Sequence, residues 1–139
     1  MLIEGGCHCG NLRFTLDWIP EPAEIPARAC GCSFCRKHGG VWTSCAQGVL
    51  EVRVREPQRV QRYAFGTRTA DFHVCSGCGV VPVVTSEIGG HLYAVVSVNA
   101  MEGLDPARVR TVAASFDAED EATRLARRQR HWIPEVRLR

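Results

Sequence analysis

Seven of the eight cysteines in this 139-residue chain lie in three tight clusters, and thiols at this spacing are suited to metal chemistry. The clusters are Cys7-His-Cys9, Cys30-Gly-Cys32-Ser-Phe-Cys35 and Cys75-Ser-Gly-Cys78. A disulfide framework is one interpretation, but no secretory signal is visible at the N-terminus and the cytosol keeps thiols reduced. Closely spaced thiols in an intracellular protein favour metal ligation, with a redox-active dithiol as the remaining alternative.

The first and third clusters each supply two thiols, so neither can complete a tetrahedral site alone. Gly77 and Gly79 suit the positive-φ geometry of a zinc knuckle at the third cluster. If both pairs bind one zinc ion, the site has four thiolates and no open position, which makes it structural. The alternative is that the two pairs are unrelated surface turns.

The middle cluster offers three thiols within six residues, from Cys30, Cys32 and Cys35. A zinc ion held by three thiolates keeps one position for water or substrate, which is the arrangement of a catalytic metal. Cys45 could close this site, but it lies in the strand-like run Val41–Ala46, so we expect a free, buried thiol. We expect the three-ligand site to bind zinc more weakly than the four-ligand site, which is compatible with partial occupancy after isolation.

A short basic run follows the middle cluster directly. Arg36 and Lys37 are therefore the candidates for binding an anionic substrate beside an open zinc. The alternative for this run is a solvated turn. The five histidines are weaker signals, because a histidine near a cluster is more often a polar neighbour or a solvent-exposed residue than a ligand.

Charge and hydropathy argue against two classes of partner. The formal net charge of +2 counts cysteine as neutral. Seven thiolates and two zinc ions would lower it by three, to about −1, so a basic surface is no argument for nucleic acid. No apolar run approaches the roughly 20 residues of a membrane-spanning helix. We therefore expect neither a membrane nor a nucleic acid as partner, and a cytoplasmic location.

Alternating apolar residues predict half-buried antiparallel strands between the clusters. The alternation covers Leu12–Leu16, Leu50–Val54 and Ala70–Val74. Val80–Thr85 and Leu92–Val98 are more uniformly apolar and predict central strands. Glycine and proline turn signals separate these runs.

The sequence predicts a mainly β, single domain over residues 1–139, with a core at about residues 5–100 and a helical appendage at about 117–131. Acidic residues open this helix and arginines close it, which complements the helix dipole. A single helical turn is also expected from Ser33 to His38. We expect the arginines of Arg124–Arg139 to lie on an ordinary solvated helix.

Three motifs in this order resemble those of the glutathione-dependent formaldehyde-activating (GFA) family, which also includes centromere protein V. They are Gly6-Cys-His-Cys-Gly10, Cys30-Gly-Cys-Ser-Phe-Cys-Arg-Lys-His-Gly-Gly40 and Phe72-His-Val-Cys-Ser-Gly-Cys-Gly79. The likeness spans Gly5 to about Val98, and Trp132-Ile-Pro134 is similar to the family's C-terminal tryptophan region. It implies a complex antiparallel β-sheet fold stapled by zinc and related to the Rab-exchange chaperones.

The resemblance also implies two zinc sites and an activity. One implied zinc is structural and has four ligands, which are Cys7, Cys9, Cys75 and Cys78. The second implied zinc has three ligands, which are Cys30, Cys32 and Cys35. The implied activity is that of a carbon–sulfur lyase resembling S-(hydroxymethyl)glutathione synthase, in which glutathione or a similar thiol adds to a small aldehyde such as formaldehyde. Arg36 or Lys37 would hold a glutathione carboxylate.

Two features separate this sequence from the family pattern. The family usually has histidine where this chain has Gly31, and the chain is shorter than the founding glutathione enzymes. Because of these two differences, the identity of the thiol and aldehyde substrates stays open. The sequence does not determine the oligomeric state either. The alternative function is a non-catalytic zinc-binding module for a protein or a nucleic acid, which the arginines of Arg124–Arg139 would serve.

Overall fold

The computed structural model describes all 139 residues and is mainly β, with two sheets and one main helix. Its helices are α1 (Ser33–His38) and α2 (Glu121–His131), with three short 3-10 helices between them. Its strands are β1 (Leu2–Gly6), β2 (Leu12–Asp17), β3 (Ile25–Cys30), β4 (Val41–Thr43), β5 (Val49–Val54), β6 (Val60–Tyr63), β7 (Asp71–Cys75), β8 (Val83–Ile88), β9 (His91–Ser97), β10 (Met101–Glu102), β11 (Val109–Ala114) and β12 (Glu135–Leu138). Neither helix is long and apolar enough to cross a membrane.

The strands form a five-stranded sheet in the order β10-β1-β2-β5-β12 and a seven-stranded sheet in the order β11-β3-β4-β9-β8-β7-β6. The expectation of antiparallel pairing alone is wrong at two places, because β11 pairs with β3 and β12 with β5 in parallel. Both strands lie at sheet edges, and their side chains are mostly exposed. In the sequence, β11 shows no regular apolar alternation, and the alternation of β12 covers only four residues, which is too short to predict a strand.

The strands β8 and β9 are buried on both faces over residues 83–86 and 94–97. Phe72 of β7 lies opposite Val84, which lies opposite Val95, so these three side chains share one face of the sheet. Val83 and Val96, in the next register positions, share the other face. Two-sided burial removes the need for polar residues at every second position.

Each face of this sheet carries a core. The main core lies between the two sheets and contains residues of both, among them Phe14, Leu16, Leu50, Val83 and Val96. A smaller core on the opposite face is formed by the side chains of Cys35, Trp42, Phe72, Val81, Val84, Val95 and Trp132. The smaller core contains Cys35 of the middle cysteine cluster, so packing in this core positions that cluster.

The C-terminal segment is integrated into the sheets. The helix begins at Glu121, not near residue 117, because the Asp120 carboxylate accepts a hydrogen bond from the Thr123 backbone N–H over 2.7 Å and caps it. After the helix, Ile133 is fully buried and pairs with Ala94. The sheets thus extend well past residue 100.

Candidate active site

The first and third cysteine clusters meet at the junction of the two sheets. The Sγ atoms of Cys7, Cys9, Cys75 and Cys78 all lie within 4.8 Å of one another. The Sγ–Sγ distance is 3.8 Å for Cys7–Cys9 and 3.5 Å for Cys9–Cys75. Sulfurs bound at about 2.3 Å to one tetrahedral ion are about 3.8 Å apart. The four thiols are unpaired, and their spacing fits a metal.

Local backbone holds this cluster in place. Cys7 follows β1 of the five-stranded sheet, whereas Cys75 ends β7 of the seven-stranded sheet. The Leu12 backbone N–H donates to the Cys7 sulfur over 3.2 Å. Burial opposes ionisation of Cys78, but backbone N–H groups of Val80 and Cys9 outweigh it and lower the Cys78 pKa to about 6. An ion bound here would tie the two sheets together.

The middle cluster is built by the end of β3 and by α1. The three Sγ atoms lie within 4.8 Å of one another. Cys32 is the N-cap of α1, and its sulfur accepts the Cys35 backbone N–H over 3.3 Å. Hydrogen bonds from the Cys35 thiol and the Cys32 backbone lower the pKa of Cys30 to about 5. The same hydrogen bond and burial raise the pKa of Cys35, so without a metal the thiolate of this cluster is held at Cys30. Thiolate is the form that binds metals.

The middle cluster lies in the wall of a cavity of about 460 Å³. That volume falls within the range of small-molecule sites. Much of the cavity wall is aromatic, formed by Trp42, Phe65, Phe72, Phe116 and Trp132. All three cysteines of the cluster line this cavity, so a bound small molecule would lie beside the cluster.

Five arginines also line the cavity, and four of them were not predicted to take part. These four are Arg28, Arg124, Arg127 and Arg128. The expected solvated helix is wrong on one side of α2, where Arg128 is only 9% exposed, whereas the opposite side, with Arg130, is exposed. Burial and the neighbouring Arg127 and Arg124 lower the pKa of Arg128 to about 10.

The sequence contained a signal that one side of α2 is covered. Arg124 and Arg128 are four residues apart, and Trp132 follows four residues later, so the three share one side of a helical segment. An apolar tryptophan on that side indicates that the arginines beside it are also covered. For Arg28, on an alternating strand, we find no comparable signal.

The structure separates the two residues predicted to bind an anion. Arg36 lines the cavity, whereas Lys37 does not. Both side chains are exposed and lie in the last turn of α1. Positive charge there also complements the helix dipole, so part of this basic run has a structural reason.

Cys45 and the histidines stay outside both clusters. Cys45 is 7% exposed in the main core, and burial raises its pKa to about 11. His73 is buried, with its Nε2 2.7 Å from the Thr85 hydroxyl. The ring of His38 stacks on Phe34. None of these side chains belongs to a group of converging sulfurs.

Comparison with known proteins gives three findings. The model of the family described as glutathione-dependent formaldehyde-activating enzyme (GFA) matches residues 2–118. A Halomonas elongata protein, named provisionally as such an enzyme, is 48% identical over 40 residues, which are 29% of this chain and 24% of that protein. The match therefore spans about a quarter of the curated relative's length. A crystal structure of a Rhodobacter sphaeroides protein is similar with a TM-score of 0.55 and 29% identity, covering 78% of this chain and 99% of that one.

Proposed function

The chain belongs to the glutathione-dependent formaldehyde-activating family, and from this premise we propose that it adds a small thiol to a small aldehyde in the cavity beside Cys30, Cys32 and Cys35. The observation that carries the proposal is the position of all three cysteines in the wall of a cavity large enough for a small molecule. In this proposal the protein is a carbon–sulfur lyase with glutathione and formaldehyde as its substrates. It works in the cytoplasm, where thiols stay reduced.

We propose zinc at both cysteine clusters. Clusters of closely spaced sulfur donors are typical of zinc, and backbone N–H groups directed at the sulfurs favour the thiolate form it needs. The four-cysteine site is structural, because it has no ligand position left and joins the two sheets of one domain. At the three-cysteine site, bound zinc would supply a Lewis acid with one open position for a thiol.

The reaction is an addition that needs little from the protein beyond orientation. A sulfur–carbon bond forms, the carbonyl π bond breaks, and the thiol proton ends on the carbonyl oxygen. Trp42 and Phe72, on the wall next to Cys35, limit the water around the reacting sulfur. Holding thiol and aldehyde together in this cavity converts a bimolecular step into an oriented one.

Arg36 is the proposed contact for a glutathione carboxylate. It lies on α1 directly after Cys35 and lines the same cavity. Lys37 was predicted with equal weight, but its position outside the cavity lining favours Arg36. A guanidinium can bind both oxygens of a carboxylate at once, which an ammonium cannot.

A glutathione titration by calorimetry, with zinc K-edge absorption on the same samples, tests the proposal. Wild type should bind glutathione with a change at the metal edge, and Cys32→Ser should lose both signals while keeping its fold. Cys45→Ala and Lys37→Gln are the matched controls, since neither residue lines the cavity, and both should behave as wild type. Formaldehyde addition is then followed by exchange NMR of the hemithioacetal. If glutathione leaves the metal edge unchanged, the non-catalytic zinc module becomes the better account.

A further inference from the structure

The cavity has an excess of positive charge that the three-cysteine cluster does not explain. Five arginines line it, and Asp117 is the only acidic residue among the lining residues. Asp117 is exposed, so water screens its charge. A cavity lined in this way attracts an anion.

Two of these arginines already have an acidic partner. Arg127 forms an ion pair with Glu119 at 2.9 Å and stacks over the Phe116 ring at 3.6 Å. Arg124 approaches the same carboxylate at 3.8 Å. One glutamate thus serves both, which leaves the other cavity arginines without a carboxylate of this chain.

Arg128 is the buried member of the unpaired group. Its Nη1 donates to the Thr69 carbonyl at 3.3 Å, the Thr69 hydroxyl at 2.8 Å and the Ser86 hydroxyl at 3.2 Å. Its Nε is buried and has no hydrogen-bond partner. The guanidinium carbon lies 4.9 Å from the centre of the Trp132 ring. The Nη2 group also forms no hydrogen bond within the chain, and unlike Nε it is not closed off from its surroundings, so it is the group that a ligand in the cavity can reach. A buried guanidinium with an unpartnered N–H group is costly unless a ligand completes its contacts.

Arg28 is held beside the same helix. It reaches from β3, and its Nη2 donates to the Ser44 hydroxyl at 3.3 Å. That hydroxyl in turn donates to the carbonyl of His131, the last residue of α2, at 2.9 Å. Arg28 forms no ion pair, so most of its N–H groups remain available to the cavity.

We propose that Arg28 and Arg128, which line the same cavity, each offer a guanidinium to a substrate carboxylate and so make up a carboxylate-binding subsite, and that the substrate is an anionic thiol whose sulfur reaches the three-cysteine cluster. The assignment of the thiol rests on the proposed function, whereas the subsite itself does not. Planar guanidinium groups match the geometry of a carboxylate. Removing either arginine should lower the affinity for ligands that carry a carboxylate and leave the affinity for neutral thiols unchanged.

Two probes separate the subsite from the thiol chemistry. S-methylglutathione keeps the carboxylates of glutathione but has no free thiol, and 2-mercaptoethanol is a thiol without a carboxylate. Each is titrated by calorimetry into wild type, Arg128→Gln, Arg28→Gln and the control Arg130→Gln. Arg130 is exposed on α2 outside the cavity lining, so its change removes the same charge without touching the subsite. Circular dichroism checks that each variant is folded. If Arg128→Gln does not fold, the test is made with Arg28→Gln.

We expect S-methylglutathione to bind wild type and Arg130→Gln equally, and Arg128→Gln or Arg28→Gln about 10- to 100-fold more weakly. Binding of 2-mercaptoethanol should change less than about twofold in all folded variants. If S-methylglutathione does not bind wild type, or binds the folded subsite variants as well as wild type, the subsite is overturned whatever the thiol does. If its binding depends on Arg28 or Arg128 while 2-mercaptoethanol leaves the metal edge unchanged, the subsite stands and the proposed thiol addition falls.

Discussion

Trp42 donates its indole N–H to the Cys35 sulfur over 3.3 Å, which joins the seven-stranded sheet directly to the three-cysteine cluster. The same indole packs edge-on against Phe72 in the cavity wall, with ring centroids 5.9 Å apart. Cluster and cavity are therefore one packed unit. A group that stabilises the thiolate of Cys35 also shapes the space in which a ligand would lie.

Replacing Trp42 with phenylalanine should loosen metal binding at the three-cysteine cluster. The change removes a hydrogen bond to a sulfur that is charged when ligated, worth about 1.5 kcal/mol or more, so zinc affinity should fall about tenfold. Competition with a chromogenic chelator measures this. The matched control is Trp132→Phe, which removes an indole from the same cavity and contacts no cysteine sulfur through a hydrogen bond. Equal zinc affinity in both variants would contradict the prediction.

Cys75→Ser should prevent stable folding. The residue is fully buried where the two sheets meet, and its loss leaves the four-cysteine site with three thiolates. Structural zinc contributes roughly 10 kcal/mol or more, comparable to the whole stability of a domain. Solubility, circular dichroism and zinc content measure the outcome. A soluble variant with wild-type melting temperature and wild-type zinc would refute a structural metal here.

Cys45→Ala should leave the zinc content unchanged and cost about 1 kcal/mol of stability, because it removes one buried sulfur from the core. Its pKa of about 11 lies above that of an ordinary thiol, so the neutral form dominates at neutral pH. Alkylation of Cys45 in the folded protein should accelerate about tenfold per pH unit up to about pH 11. Peptide mapping after iodoacetamide treatment at several pH values follows this. Rapid labelling at pH 7 in the folded protein would argue against it.

Substitution by alanine should have different effects at two glycines near the three-cysteine cluster. A methyl group on Gly31 would lie 3.4 Å from the Ala114 carbonyl oxygen, an ordinary contact. The same group on Gly40 would lie 2.8 Å from the Trp42 indole nitrogen and 3.1 Å from the Cys35 sulfur. Gly31→Ala should therefore keep its melting temperature and zinc, whereas Gly40→Ala should lose about 1–3 kcal/mol and part of its zinc. Similar melting curves for the two variants would show that the indole moves aside freely.

The strands and the cysteine clusters were predictable because their signals are local. Leu12, Phe14 and Leu16 alternate over a half-buried strand, as expected, and β2 covers them. The helical turn from Ser33 to His38 also lies where it was expected. The edge strand β12 was missed, because its alternation of polar and apolar residues covers only the four residues Glu135–Leu138.

The sequence by itself determined which thiols lie close enough within each cluster to share an ion. Sulfurs two or three residues apart can share an ion in almost any fold, since one tight turn brings them together. Only the tertiary structure decided which clusters meet and what surrounds them. Arg128 and Arg130 are the same residue type on one helix, yet one is buried over Trp132 and the other is exposed. The burial of an arginine depends on what packs against it, and for Arg128 the partners Thr69 and Ser86 lie 59 and 42 residues away in the chain.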